Sequence, residues 1–92
     1  MTATYETYLN EQLDIIKKML IAKHHDYGSN NLKKRGMLGI MVRLDDKMAR
    51  IDNLLQNQNT DKQNQVDETI ADTLYDVAGY AIQAILLLEN KL

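Results

Sequence analysis

The stretch IADTLYDVAGYAIQAILLL, Ile70 to Leu88, decides the fold. Ile70, Leu74, Val77, Ala81, Ala84 and Leu88 fall at helical spacing and form one apolar row. Ala71, Ala78, Ile82 and Ile85 widen that row over much of the circumference. A helix apolar on so many sides needs more than one covering neighbour. The stretch is interrupted by Gln83, and its apolar end from Val77 is too short to span a bilayer, so no membrane partner is expected.

Two further helices stand upstream. The first runs from about Thr4 to His25, with Leu9, Leu13, Ile16 and Leu20 on one side and Ile15 and Met19 beside them. Gly28 follows as a stop, because glycine tolerates left-handed backbone. Ser29 to Gly36 reads as a loop carrying Lys33, Lys34 and Arg35. The second helix runs from about Met37 to Leu55, with Met41, Leu44, Met48, Ile51 and Leu55 as its buried face. Gln56 to Gln63 is polar and reads as a solvated connection, and Asn64 and Asp67 suit the start of the third helix, 65–88.

The predicted architecture is therefore all-α: one domain over 1–92, an up-down-up bundle of helices 4–25, 37–55 and 65–88. Composition agrees. The chain of 92 residues has no proline, phenylalanine or tryptophan, and Leu, Ile and Met supply the apolar bulk. Two partner helices barely cover the third, so a homo-oligomer is expected to complete the bundle. The absence of cysteine excludes disulfides and thiolate metal sites. The N-terminal residues show no basic region followed by an apolar run, which points to the cytoplasm.

The charges are ordered. Arg43, Asp46, Lys47 and Arg50 lie at offsets of zero, three, four and seven, on one face of the second helix. Glu68, Asp72 and Asp76 form an acidic row on the third, with Tyr75 and Tyr80 nearby. Facing stripes can be no more than interhelical salt bridges, worth about 0–1 kcal/mol each when exposed. They can also line a polar cleft, in which arginine grips phosphate as a two-pronged donor. A net charge of −2 and the small number of basic residues speak against a nucleic-acid surface.

KHHDYGSNN, Lys23 to Asn31, bears on this choice. Adjacent histidines on a helix diverge by about 100 degrees, so His24 and His25 rarely share a metal. Asp26 and Tyr27, with Asn30 and Asn31, instead form a candidate rim: tyrosine can stack on a base, and the asparagines can read polar edges.

KHHDYGSNN, GMLGIMVRLDDKMARIDNLL and DETIADTLYDVAGYAI together resemble a small phage and bacterial nucleotide-modification-associated helical domain, over about Lys23 to Ile85. The resemblance puts Asp26, Tyr27, Gly28, Arg43, Asp46, Lys47, Arg50, Glu68, Asp72, Asp76 and Tyr80 at motif positions. The third segment also looks like the acidic helix of MazG-like nucleotide pyrophosphohydrolases. That likeness departs where Thr69 follows Glu68, and where the second helix offers a mainly basic stripe instead of a glutamate pair.

The resemblance implies a nucleotide-type small-molecule ligand, with Asp26, Tyr27, Asn30, Asn31, Arg43, Asp46, Lys47, Arg50, Asp76 and Tyr80 as the ligand-binding set. The expected activity is phage-type sequestration of a nucleotide or a nucleotide-derived defence signal, cyclic or of ADP-ribose type, without hydrolysis, in the cytoplasm of a host cell. No cofactor is required for that. The alternative is a Mg²⁺-dependent pyrophosphohydrolase with Glu68 and Asp72 on the metal. A third reading is a structural or protein-binding helical module.

Overall fold

The computed structural model describes residues 3–56 and 63–92, apart from the side chains of 63–68. Three helices follow one another: α1 (Tyr5–Tyr27), α2 (Asn30–Gln56) and α3 (Gln63–Leu88). The all-α reading and the three-helix order hold. Of the polar connection read over Gln56 to Gln63, Gln56 ends α2 and Gln63 begins α3, while 57–62 lie outside the described residues, as do the side chains of Asn64 and Asp67.

Local chemistry fixes the helix ends. Thr4 caps α1 from an extended conformation, its hydroxyl accepting the Thr7 amide at 3.2 Å. α1 runs two residues past the expected end, and the Gly28 amide closes on the His24 carbonyl at 2.8 Å. Gly28 has φ 69° and ψ −167°, a region essentially restricted to glycine.

Residues 29–36 are not the loop that their polarity suggests. Helix resumes at once: the Ser29 carbonyl accepts the Lys33 amide at 3.0 Å, and Asn30 to Arg35 make a short turn of helix. Gly36 then kinks the chain with φ 66° and ψ −161° before α2 continues. Lys33, Lys34 and Arg35 favour helix, and nothing in their polarity distinguishes an exposed helical turn from a loop. At its far end, Asn90 takes φ 56° and the Lys91 amide reaches the Leu86 carbonyl at 2.8 Å, which terminates α3.

The core lies between α2 and α3. Leu32, Ile40 and Ala84 are its buried centre, with Met37, Leu44, Tyr80, Leu87 and Leu92 against them. Ile51 is buried further along α2. Two cross-helix pairs, Lys47 with Asp76 and Arg43 with Tyr80, show that the helices run antiparallel, since advancing along α2 means receding along α3.

The buried face of α2 is rotated from the expected one. Ile51 and part of Leu44 are inside as read, but Met41, Met48 and Leu55 are exposed. The four-residue step from Ile40 to Leu44 sets the true stripe. On α3, Ala84 is buried, whereas Leu74 and Leu88 of the expected row are exposed. The apolar surface of α3 is too wide for α2 to cover, so position within it does not decide burial.

α1 touches the rest less. None of its described residues is buried. It meets α3 where Gly79 leaves room: a Cβ there would stand 3.1 Å from Leu20 Cδ2 and 3.2 Å from Met19 Cε. This is a close approach, with the glycine serving proximity and not an unusual φ. The Tyr75 hydroxyl donates to Gln12 Oε1 beside the crossing.

Candidate functional site

Asp76 is where the three helices are tied together. Its carboxylate accepts from Lys23 of α1 at 3.2 Å through one oxygen and pairs with Lys47 of α2 at 3.1 Å through the other. Partial burial pulls the Asp76 pKa upward, but the hydrogen bonds and charges of Lys47 and Lys23 outweigh it, so the carboxyl titrates below its usual range. The facing stripes thus meet in an ion-paired triad.

One helical turn further along α3, the Arg43 guanidinium lies over the Tyr80 ring, 5.8 Å from its centroid. That is within cation–π range and holds the guanidinium in one orientation. Two cavities share this pair in their lining.

The larger, of about 410 Å³, is bounded by the end of α1, the short helical turn and the middle of α3. Met19, Leu20, Leu32 and Gly79 supply its apolar lining. Lys23, His24, Asn31, Asp76 and Gln83 supply polar groups, and Tyr27 stands at its mouth, 81% exposed. Such a volume, with apolar and polar lining in nearly equal parts, falls in the usual size range of small-molecule sites. His24 is positioned by Ser29, whose hydroxyl lies 3.0 Å from its Nδ1. The smaller cavity, of about 330 Å³, is lined by Arg43, Asp46, Lys47, Arg50 and Tyr80. Arg43, Lys47 and Arg50 face Asp46 there, with Lys47 already paired to Asp76, so the cavity is cationic on balance and suits an anion.

Of the ten ligand-binding residues read from sequence, Tyr27, Asn31, Arg43, Asp76 and Tyr80 line the larger cavity. Arg43, Asp46, Lys47, Arg50 and Tyr80 line the smaller. Asp26 and Asn30 line neither; Asp26 is exposed beside His25, 3.8 Å away. Lys33, Lys34 and Arg35 are exposed and line neither cavity. Of the two acids read as metal ligands, Asp72 is exposed on α3, and the Glu68 side chain lies outside the described residues. Among the described residues, no three carboxylate or imidazole side chains converge as a metal site would require.

Sequence reasoning missed Leu20, Lys23, His24, Gly79 and Gln83. A signal existed for some of them: Leu20, Lys23, His24 and Tyr27 are spaced at three and four, one face of α1. A glycine inside a strongly apolar helix also flags a close neighbour.

The family model described as nucleotide modification associated domain 1 matches residues 23–88. That span includes every cavity-lining residue except Met19 and Leu20. Comparison with curated proteins and with solved structures gave no match.

Proposed function

The chain belongs to the nucleotide modification associated domain 1 family, and from that premise we propose that it binds a nucleotide across the paired cavities and holds it intact. One observation carries this reading: the two cavities share the Arg43–Tyr80 pair, the larger of mixed polarity with Tyr27 and Tyr80 in its lining, the smaller lined mainly by cations. A base with its sugar suits the first, stacking on Tyr27 and meeting His24, Asn31 or Gln83. Phosphate suits the second, where Arg43 and Arg50 offer forked donors and Lys47 a point charge. Asp76 can accept ribose hydroxyls while it orders the lysines. The ligand class is a mononucleotide or a larger cyclic or ADP-ribose-type signal. Capture of a host defence signal of that kind would make the protein a phage-type counter-defence sponge.

Retention without cleavage is supported by how Asp76 is used. Metal-assisted hydrolysis needs carboxylates grouped around one ion to activate water. Asp76 is instead shared by two lysines.

The test is to incubate the protein with a nucleotide panel and Mg²⁺, then to chromatograph both the mixture and the heat-released fraction. Intact nucleotide released by heat is expected. A monophosphate or pyrophosphate product would overturn sequestration in favour of the Mg²⁺-dependent hydrolase, with Glu68 and Asp72 as the acids to replace. Absence of any retained nucleotide would overturn both and leave a structural module. Arg43→Ala should weaken retention about 10- to 100-fold, the loss of one or two charge-assisted hydrogen bonds, while the helical spectrum is kept.

A further inference from the structure

The two oxygens of Asp76 serve different cavities. Oδ1 accepts from Lys23, which lines the larger cavity together with Asp76 itself. Oδ2 pairs with Lys47, which lines the smaller. Every residue that lines the smaller cavity belongs to α2 or α3, so an anion held there has no lining contact with α1. Yet among the described residues, Lys23–Asp76 is the only ion pair that joins α1 to another helix. One carboxylate therefore carries both the grip on a lysine of the smaller cavity and the ionic hold on α1.

We propose that Asp76 couples the two cavities: an anion in the smaller one draws on Lys47, and Asp76 then holds Lys23, and with it α1, more tightly. Two effects act in that direction. The ammonium groups stand 3.2 and 3.1 Å from a single carboxylate, where like charges repel and each weakens the other's hold. An anion that accepts from Lys47 offsets its charge and relieves that repulsion. It also takes up some of the three donors of the Lys47 ammonium, which leaves lone pairs of Asp76 to Lys23. The Asp76 side chain is 27% exposed, so these charges are screened less than groups free in solvent.

Coupling of this kind is reciprocal. Whatever fixes α1 tightens the anion in the smaller cavity by the same factor. A base and sugar seated in the larger cavity beside Lys23 would do so, and the two halves of one nucleotide then reinforce each other through a residue that need not touch the phosphate. This inference rests on the nucleotide reading only in taking an anion as the occupant of the smaller cavity.

Inorganic pyrophosphate is the probe, because it presents the anion without a base or sugar. Equilibrium dialysis against the full chain fixes saturation, and amide hydrogen exchange reads α1, with chloride replacing pyrophosphate at constant ionic strength in the reference. At saturation, exchange from Met19 to Tyr27 should slow by about two- to fivefold, the range of one partly exposed ion pair. Arg50→Ala alters a residue that lines only the smaller cavity, and it should weaken pyrophosphate binding. Lys23→Met and Asp76→Asn, each brought to saturation, should show no slowing of α1. Pyrophosphate that binds the wild type without slowing α1, or that slows α1 as much in Lys23→Met, would overturn the inference and leave nucleotide binding standing. Pyrophosphate that does not bind the wild type, or binds Arg50→Ala equally well, would overturn it together with the assignment of phosphate to the smaller cavity.

Discussion

Replacing Asp76 with alanine removes the one carboxylate that Lys23 and Lys47 share. The two contacts, 3.2 and 3.1 Å, join three helices, and the Asp76 side chain is only 27% exposed. The lysines are half and one-third exposed, so neither pair reaches the strength of a buried one. Exposed pairs contribute about 0–1 kcal/mol each, and two sharing a partly buried anion should total about 1–2 kcal/mol. Removal also leaves two ammonium groups facing each other across the vacated position. For a chain of this size each kcal/mol moves Tm by about 4–8 °C, so Asp76→Ala should melt about 5–15 °C lower. The pH dependence has a definite sign. The folded-state pKa of Asp76 lies below its unfolded value. Its contribution is therefore fully present above the ordinary aspartate pKa and is lost as pH falls through the lower, folded value. Thermal melts followed by circular dichroism, at one protein concentration, should show the wild type and the isosteric Asp76→Asn well separated at pH 7. The curves should begin to converge below about pH 4 and meet only once the pH is under the lower, folded-state pKa. Added salt should narrow the gap at neutral pH. Equal melting temperatures at pH 7 and low salt, or a gap that ignores pH, would refute the triad as a source of stability.

Ile40→Ala empties the centre of the α2–α3 core, where the side chain is 1% exposed, and should cost about 2–4 kcal/mol in a urea titration. Gly36→Ala meets no atom within 4 Å, so its cost is the backbone's alone, about 1–3 kcal/mol for an L-residue in that conformation. The same titration should show it with an unchanged m-value. At Gly79, alanine gains about 0.8–1 kcal/mol of helix propensity against two movable methyl ends, so stability should stay within about 0.5 kcal/mol of wild type. Leucine there should lever α1 off α3 and reduce nucleotide retention, read by equilibrium dialysis.

The fold was legible because its strongest signal, the apolar breadth of α3, is a property of composition along one segment. Rotation of α2 about its axis was not. Met41 and Met48 satisfy the same periodicity as Ile40 and Leu44, and the choice between them is made by where α3 lies. The charged stripe was legible for the opposite reason: Arg43, Asp46, Lys47 and Arg50 share a face whatever their neighbours do. The contribution of α1 was hidden because Lys23 and His24 gain meaning only from Asp76 and Ser29, one of them 53 residues away in sequence.

The exposed character of α1 gives the molecule two tiers of stability. α2 and α3 share a buried core, so they should separate only on global unfolding. α1 is held by methyl contacts at Gly79, one lysine and one glutamine, and segments with so few buried contacts open at small free energy. Because α1 also supplies one wall of the larger cavity, opening there is at once a route for entry and a route for escape. A molecule seated between Tyr27 and Arg43 would bridge the loose tier to the firm one, and its residence time would then be set by how rarely α1 lifts away.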